Sequence, residues 1–140
     1  MKQVYDNIRQ QWVAATPEEI VRQRWIQKMV QLGFPKELLV IERELKMLPH
    51  LQQHPYPLPT RRVDLLSFGK TDLEIFPLLL IECKDEALSQ QALDQALAYN
   101  TFVQAPYVAI VNQDQIRLIH NKSEIDRLPC YKDLMEAISG

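Results

Sequence analysis

Cysteine is scarce in this chain of 140 residues, where Cys83 and Cys130 are the only two. Two thiols without a ligand-type spacing exclude a disulfide framework and a cysteine-based zinc site, and Cys83 reads as a packing residue. Positive charge is not in surplus either, since 16 Lys and Arg stand against 18 Asp and Glu for a formal net charge of -2. No global field draws such a chain to nucleic acid or to an anionic membrane, so a polyanion must be held by a local patch or through bound cations. No apolar run approaches a membrane span, and residues 1–12 lack the apolar segment of a signal peptide. The expectation that follows by default is a cytoplasmic protein with no membrane partner. Low-complexity tracts and internal repeats are absent too. What is present is the composition of a soluble globular protein, 46% hydrophobic and 24% charged, in a length that fits one domain over residues 1–140.

The amino-terminal stretch, residues 1–15, carries Val4, Ile8 and Trp12 four apart and reads as a short amphipathic helix or arm. A complete helix start follows, with Thr16 as N-cap, Pro17 at the first helical position and Glu19 three residues after the cap. That helix is expected to run over residues 17–32, with Val21, Trp25, Met29 and Leu32 as its apolar stripe and Arg22 off it, and to end at Gly33 and Pro35. Residues 38–48 read as a strand. Residues 49–60 hold Pro49, Pro55, Pro57 and Pro59 and form a proline-rich loop, because proline neither continues a helix nor sits in a central strand. Alternation resumes over 61–68, a turn is expected at 69–72, and an uninterrupted apolar run over 77–84 marks a strand buried on both faces. A helix over 89–102, a buried strand over 105–112 parallel to the one before the helix, an edge strand over 115–120 and a last helix over 131–139 complete the chain. The fold class is α/β, a mixed sheet of about five strands flanked by helices in the order α-β-β-β-α-β-β-α.

Chemistry concentrates where the 77–84 strand ends. Leu80, Glu82 and Lys84 share one face and Leu79, Ile81 and Cys83 the other, so a carboxylate and an ammonium stand together at the mouth of a core strand. Burying either charge without a partner is costly, which calls for a counter-charge, a metal or a wet cleft. Asp64, the polar member of an otherwise apolar strand face, is expected near Glu82 if the two strands pair as a hairpin. Two carboxylates from adjacent strands make a hard-oxygen site suited to Mg²⁺, and a lysine beside it can orient or deprotonate a water. That combination suits hydrolysis of phosphodiesters. Arg61 and Arg62, beside Asp64, and Arg22 on the first helix are candidate phosphate contacts, with Gln91 and Gln95 on a polar helix stripe.

With Arg62-Val63-Asp64, Ile81-Glu82-Cys83-Lys84 and Gln95-Ala96-Leu97-Ala98-Tyr99 in this order, the chain resembles the PD-(D/E)xK nuclease superfamily, and within it the amino-terminal nuclease domain of type I restriction enzyme R subunits. The resemblance runs over about residues 16–112, with Val63 where the nominal motif has proline. It implies a restriction-endonuclease-like fold and an Mg²⁺-dependent DNA endonuclease or exonuclease, restriction-like or repair-like, with Mn²⁺ as a substitute. It further implies Asp64, Glu82 and the main-chain carbonyl of Cys83 as metal ligands, with Glu19 as the first-helix glutamate turned toward the metal. Lys84 would be the catalytic lysine, and Gln95 and Tyr99 the groups that position DNA. Beside the resemblance, the residue reading sets Arg61, Arg62, Gln91 and Arg22 as candidates against the nucleic acid. DNA, helicase or restriction subunits and a second copy of the chain are the partners implied. The alternative is a non-catalytic module that keeps the fold and binds nucleic acid or protein. For Glu82 and Lys84 alone, an ordinary same-face ion pair is a sufficient explanation, and for Glu19 a capping box is.

Overall fold

The computed structural model describes residues 2–139, so Met1 and Gly140 of the expected single domain lie outside the described residues. A hairpin of β1 (Gln3–Asp6) and β2 (Gln11–Ala14) comes first, then α1 (Pro17–Gln31), β3 (Leu39–Glu44), β4 (Arg62–Lys70), β5 (Ile75–Cys83), α2 (Gln90–Val103), β6 (Tyr107–Val111), β7 (Ile116–His120), β8 (Ser123–Ile125) and α3 (Tyr131–Ser139). Six strands form one sheet in the order β3-β4-β5-β6-β7-β8, antiparallel throughout except for the parallel pair β5 and β6 that α2 connects. This is the restriction-endonuclease-like α/β architecture expected from the sequence, with one more sheet strand.

The helices cover the two faces. On one side Val21, Trp25, Ile26 and Met29 of α1 and Leu134 of α3 pack on Leu65, Leu79, Ile81, Cys83, Ala109 and Val111. On the other, Tyr99 and Val103 of α2 pack on Val63, Leu66, Phe68 and Leu80, while Leu93 and Ala96 pack on Val108 and Ile110. From Leu79 to Cys83 the alternation of β5 is thus as the sequence implies, whereas Leu78, at a register shift against β4, lies on the same side as Leu79. In β4 it breaks at Asp64, because Val63 belongs to the α2 side and Leu65 to the α1 side. The alternation expected over 61–68 is corrected at this point.

Three further expectations are corrected. Residues 3–14 form a hairpin rather than a helix, with Val4 opposite Val13 and Tyr5 opposite Trp12. Its turn is held by Asp6, fully buried, whose Oδ1 accepts the N–H groups of Ile8 at 2.7 Å and Arg9 at 3.0 Å. The turn expected at 69–72 lies two residues later, at 71–74, where Thr71 N–H donates to the Glu74 carbonyl. β7 is not the sheet edge, since β8 pairs with it through the two-residue connection Asn121-Lys122, both at positive φ. That is the backbone of a tight hairpin turn whose twist matches the strands it joins.

Candidate active site

The ladder between β4 and β5 ends at the pair Leu65–Ile81. The next position outward holds Asp64 on one strand and Glu82 on the other. Across β4, the pairs Ile41–Leu65 and Arg43–Val63 place Glu42 opposite Asp64. Glu42, Asp64 and Glu82 therefore stand in one row over three adjacent strands. Three carboxylates in a row repel unless each is neutralised or wetted, and each meets that requirement differently.

Asp64 replaces the next acceptor of the ladder. Its Oδ2 accepts the Cys83 N–H at 2.6 Å, and its Oδ1 accepts from Arg22 Nε at 2.7 Å and from Arg22 Nη2. Arg22 is 4% exposed. Its Nη1 lies 2.8 Å from Glu19 Oε1 and its Nη2 lies 3.2 Å from Glu42 Oε1, so one guanidinium serves three carboxylates. Burial opposes that charge, but Asp64 and Glu19 outweigh burial and hold the Arg22 pKa above its ordinary value. Arg22, expected against nucleic acid, is thus enclosed rather than presented at the surface.

Glu42 reaches this network from a left-handed backbone at φ 46°, a conformation that costs a non-glycine residue about 1–3 kcal/mol. Arg9, at the tip of the amino-terminal hairpin, adds a second guanidinium, 2.5 Å from Glu19 Oε1 and 3.6 Å from Glu42 Oε2. The capping-box expectation holds in one direction only. Glu19 N–H donates to Thr16 Oγ1 at 3.2 Å, but the Glu19 carboxylate turns inward, its Oε1 to Arg9 and Arg22 and its Oε2 to Gln23. Burial raises its pKa, and the hydrogen bonds from Arg9 and Gln23 with the charge of Arg22 more than reverse this, so it stays ionised. Glu19 reaches Asp64 only through Arg22.

Glu82 is in the opposite situation. Its Oε1 is buried with no hydrogen-bond partner among the described residues. Burial, reinforced by the charge of Asp64, pushes its pKa up to about 7, against weaker pulls from Arg61, Lys84 and Arg22. Lys84 prolongs the β5–β6 pairing by donating its N–H to the Val111 carbonyl at 2.8 Å. Among the described residues its ammonium forms no ion pair, so the same-face Glu82–Lys84 bridge is not made. The Tyr99 hydroxyl is likewise buried and without a partner, and burial followed by the charge of Glu82 pushes its pKa up to about 12.

On the α2 side, Pro59, Arg61, Gln95, Ala98, Tyr99 and Phe102 line a groove of 480 Å³. The Arg61 guanidinium lies over the Tyr99 ring, 4.2 Å from its centroid, a cation–π contact. Ser89 starts α2 by accepting the Ala92 N–H at 3.0 Å, which fixes the rotation that points Gln95 and Tyr99 to this groove. Arg62 and Gln91 are exposed and line no part of it.

Among the described residues no group of three or more His, Cys, Asp and Glu side chains is set around a common metal position. Asp64 and Glu82 are nevertheless the right donor type, and Mg²⁺ needs only one or two carboxylates beside its waters. The orphaned Glu82 Oε1 is the observation that fits such an ion. Sequence reasoning missed Glu42, Arg9 and the inward turn of Arg22. A glutamate in the apolar run of β3 was the one available signal.

The family model described as type I restriction enzyme R protein N terminus matches residues 17–134, from the start of α1 into α3. No curated protein is similar enough to the chain to match it. The matched stretch contains Glu19, Arg22, Glu42, Asp64, Glu82, Lys84, Gln95 and Tyr99, and it covers all six strands of the main sheet. The chain belongs to the family of type I restriction enzyme R protein N termini.

Proposed function

We propose that the chain is a divalent-cation-dependent deoxyribonuclease in which Asp64 and Glu82, with the main-chain carbonyl of Cys83, hold Mg²⁺ or Mn²⁺. The observation that carries this reading is Glu82 Oε1, a buried acceptor with no donor among the described residues, opposite Asp64 across the β4–β5 pair. A cation bound there would polarise a phosphoryl oxygen and lower the pKa of a bound water. Lys84 keeps its ammonium free of ion pairs among the described residues at the mouth of β5, available to orient the attacking water or to offset charge at the phosphate. Gln95, Tyr99 and Arg61 form the wall along which a DNA strand lies, with the arginine over the ring as the phosphate contact. Membership in the R-protein family favours restriction over repair, with DNA and the other restriction subunits as partners.

The test is incubation of linear, nicked and single-stranded DNA with the protein in Mg²⁺ and in Mn²⁺, beside Lys84→Ala. We expect cleavage that stops with chelator and falls at least about a hundredfold in the variant, the usual scale for loss of an acid–base group. Equal cleavage by the two proteins would remove Lys84 from the mechanism. One observation favours the rival reading of a non-catalytic binding module, namely that Asp64 already has a cationic partner in Arg22. Calorimetry with Mn²⁺ separates the two. Binding that Asp64→Ala abolishes supports the enzyme, and no binding by the wild type supports the module.

A further inference from the structure

Arg22 stands where a divalent cation would compete for Asp64. It is permanently charged, and the same Nη2 that donates to Asp64 Oδ1 lies 3.2 Å from Glu42 Oε1 while Nη1 holds Glu19 Oε1 at 2.8 Å. The guanidinium is therefore already shared between the Asp64 seat and a second seat made of Glu19 and Glu42. That second seat is built at some expense, since Glu42 occupies a left-handed backbone to reach it and Arg9 braces both of its carboxylates from the hairpin. A guanidinium whose only role was to neutralise Asp64 would need neither. The carboxylates Asp6, Glu19, Glu42 and Asp64 outnumber the two guanidiniums of Arg9 and Arg22, so the network can accept more positive charge without discarding any.

We infer that Arg22 is a resident counter-cation of Asp64 that a divalent ion displaces onto Glu19 and Glu42, so that Arg22 sets how readily the site loads. This rests on the metal reading above. In the metal-free protein Arg22 keeps Asp64 paired and Cys83 N–H anchored. On loading, Nε and Nη2 leave Oδ1, and the guanidinium stays buried on its two glutamates. Arg22 is on this account a positioning residue, and the substrate never touches it.

The experiment is calorimetric titration of Mn²⁺ into the metal-free protein and into Arg22→Gln and Arg22→Lys. Removing the competitor is expected to tighten Mn²⁺ binding by about tenfold or more in Arg22→Gln, the factor carried by one charge-assisted hydrogen bond. Arg22→Lys keeps the charge but loses the two-pronged hold on Oδ1. It is expected to bind several-fold tighter than wild type, whereas simple through-space repulsion leaves it unchanged. Because either variant can fail to fold, the wild type supplies a second readout in the ¹⁵N spectrum of its arginine Nε groups during Mg²⁺ titration. The Arg22 Nε resonance is expected to shift and to exchange faster with solvent as the ion binds. Mn²⁺ binding by the wild type with unchanged or weaker affinity in Arg22→Lys overturns this inference alone, as does Mg²⁺ binding that leaves the Arg22 Nε resonance in place. No binding by any of the proteins overturns it together with the metal reading.

Discussion

Glu82 is an ionisable group placed where its charge is disfavoured, and that placement has a measurable effect without any metal. Its pKa in the folded protein is pushed up to about 7, against an ordinary value of 4.5. Between those values the folded protein holds the proton more tightly than the unfolded chain, so stability is complete below about pH 4.5 and declines as pH rises through 7. Asp6 and Glu19 act in the opposite sense. Their pKa values are lowered by their hydrogen bonds, so their contribution is lost only as pH falls through the acid range. In metal-free buffer we expect denaturant melts of Glu82→Gln to lose the decline between pH 4.5 and 7 and to gain about 1–3 kcal/mol over wild type at pH 8. A decline of the same size in the variant would place the titrating group elsewhere. Asp64, Glu82 and Lys84 were legible in the sequence because a charged residue breaking an apolar, alternating run is conspicuous. Arg22 was not, because a charge off the apolar stripe of a helix reads as solvated. Its burial is decided by Glu42 and Asp64, 20 and 42 residues away, which no local pattern contains.

At the scale of elements, the well-marked pieces came out of the sequence nearly to the residue. Thr16 and Ser89 cap α1 and α2, and the apolar runs became β5 and β6. The amino-terminal hairpin did not, because Val4, Ile8 and Trp12 mimic a helical interval while the turn between the strands is made by the Asp6 side chain and Gln10 at φ 54° rather than by glycine. β8 was missed for a similar reason. It is three exposed residues reached through Asn121 at φ 49° and Lys122 at φ 67°, and only Asn121 announces such a turn. Glycine is the residue suited to the second position. Lys122→Gly is expected to raise stability by about 0.5–1 kcal/mol in thermal or denaturant melts, without change in Mn²⁺ binding. A loss of stability would mean that the lysine side chain contributes more than its backbone conformation costs.

For the molecule as a whole, the sheet and α3 approach at Gly69 without room for a methyl group. A Cβ at Gly69 on β4 would lie 2.7 Å from Met135 Sδ of α3 and 2.7 Å from the Phe76 ring. The neighbouring Lys70 N–H donates to the Tyr131 hydroxyl at 3.1 Å, and the Tyr131 ring meets Phe34 edge-on at 5.5 Å, so α3 is seated from both ends of this contact. Gly69→Ala is expected to lower stability by about 1–3 kcal/mol through overpacking and to expose α3 to faster hydrogen exchange, leaving the distant carboxylate row unchanged. Unaltered melting would show that Met135 and Phe76 can both move aside. This close approach was not readable in advance, since a glycine before Lys70 and Thr71 is equally well explained by a turn.

The substitution of a side chain for a backbone carbonyl at the end of the β4–β5 ladder has a consequence of its own. The amide of Cys83 is bonded to the Asp64 carboxylate and not to another peptide group, so its magnetic environment changes with whatever that carboxylate holds. A single backbone resonance, native to the protein and needing no label beyond isotope, therefore serves as a gauge of the state of Asp64.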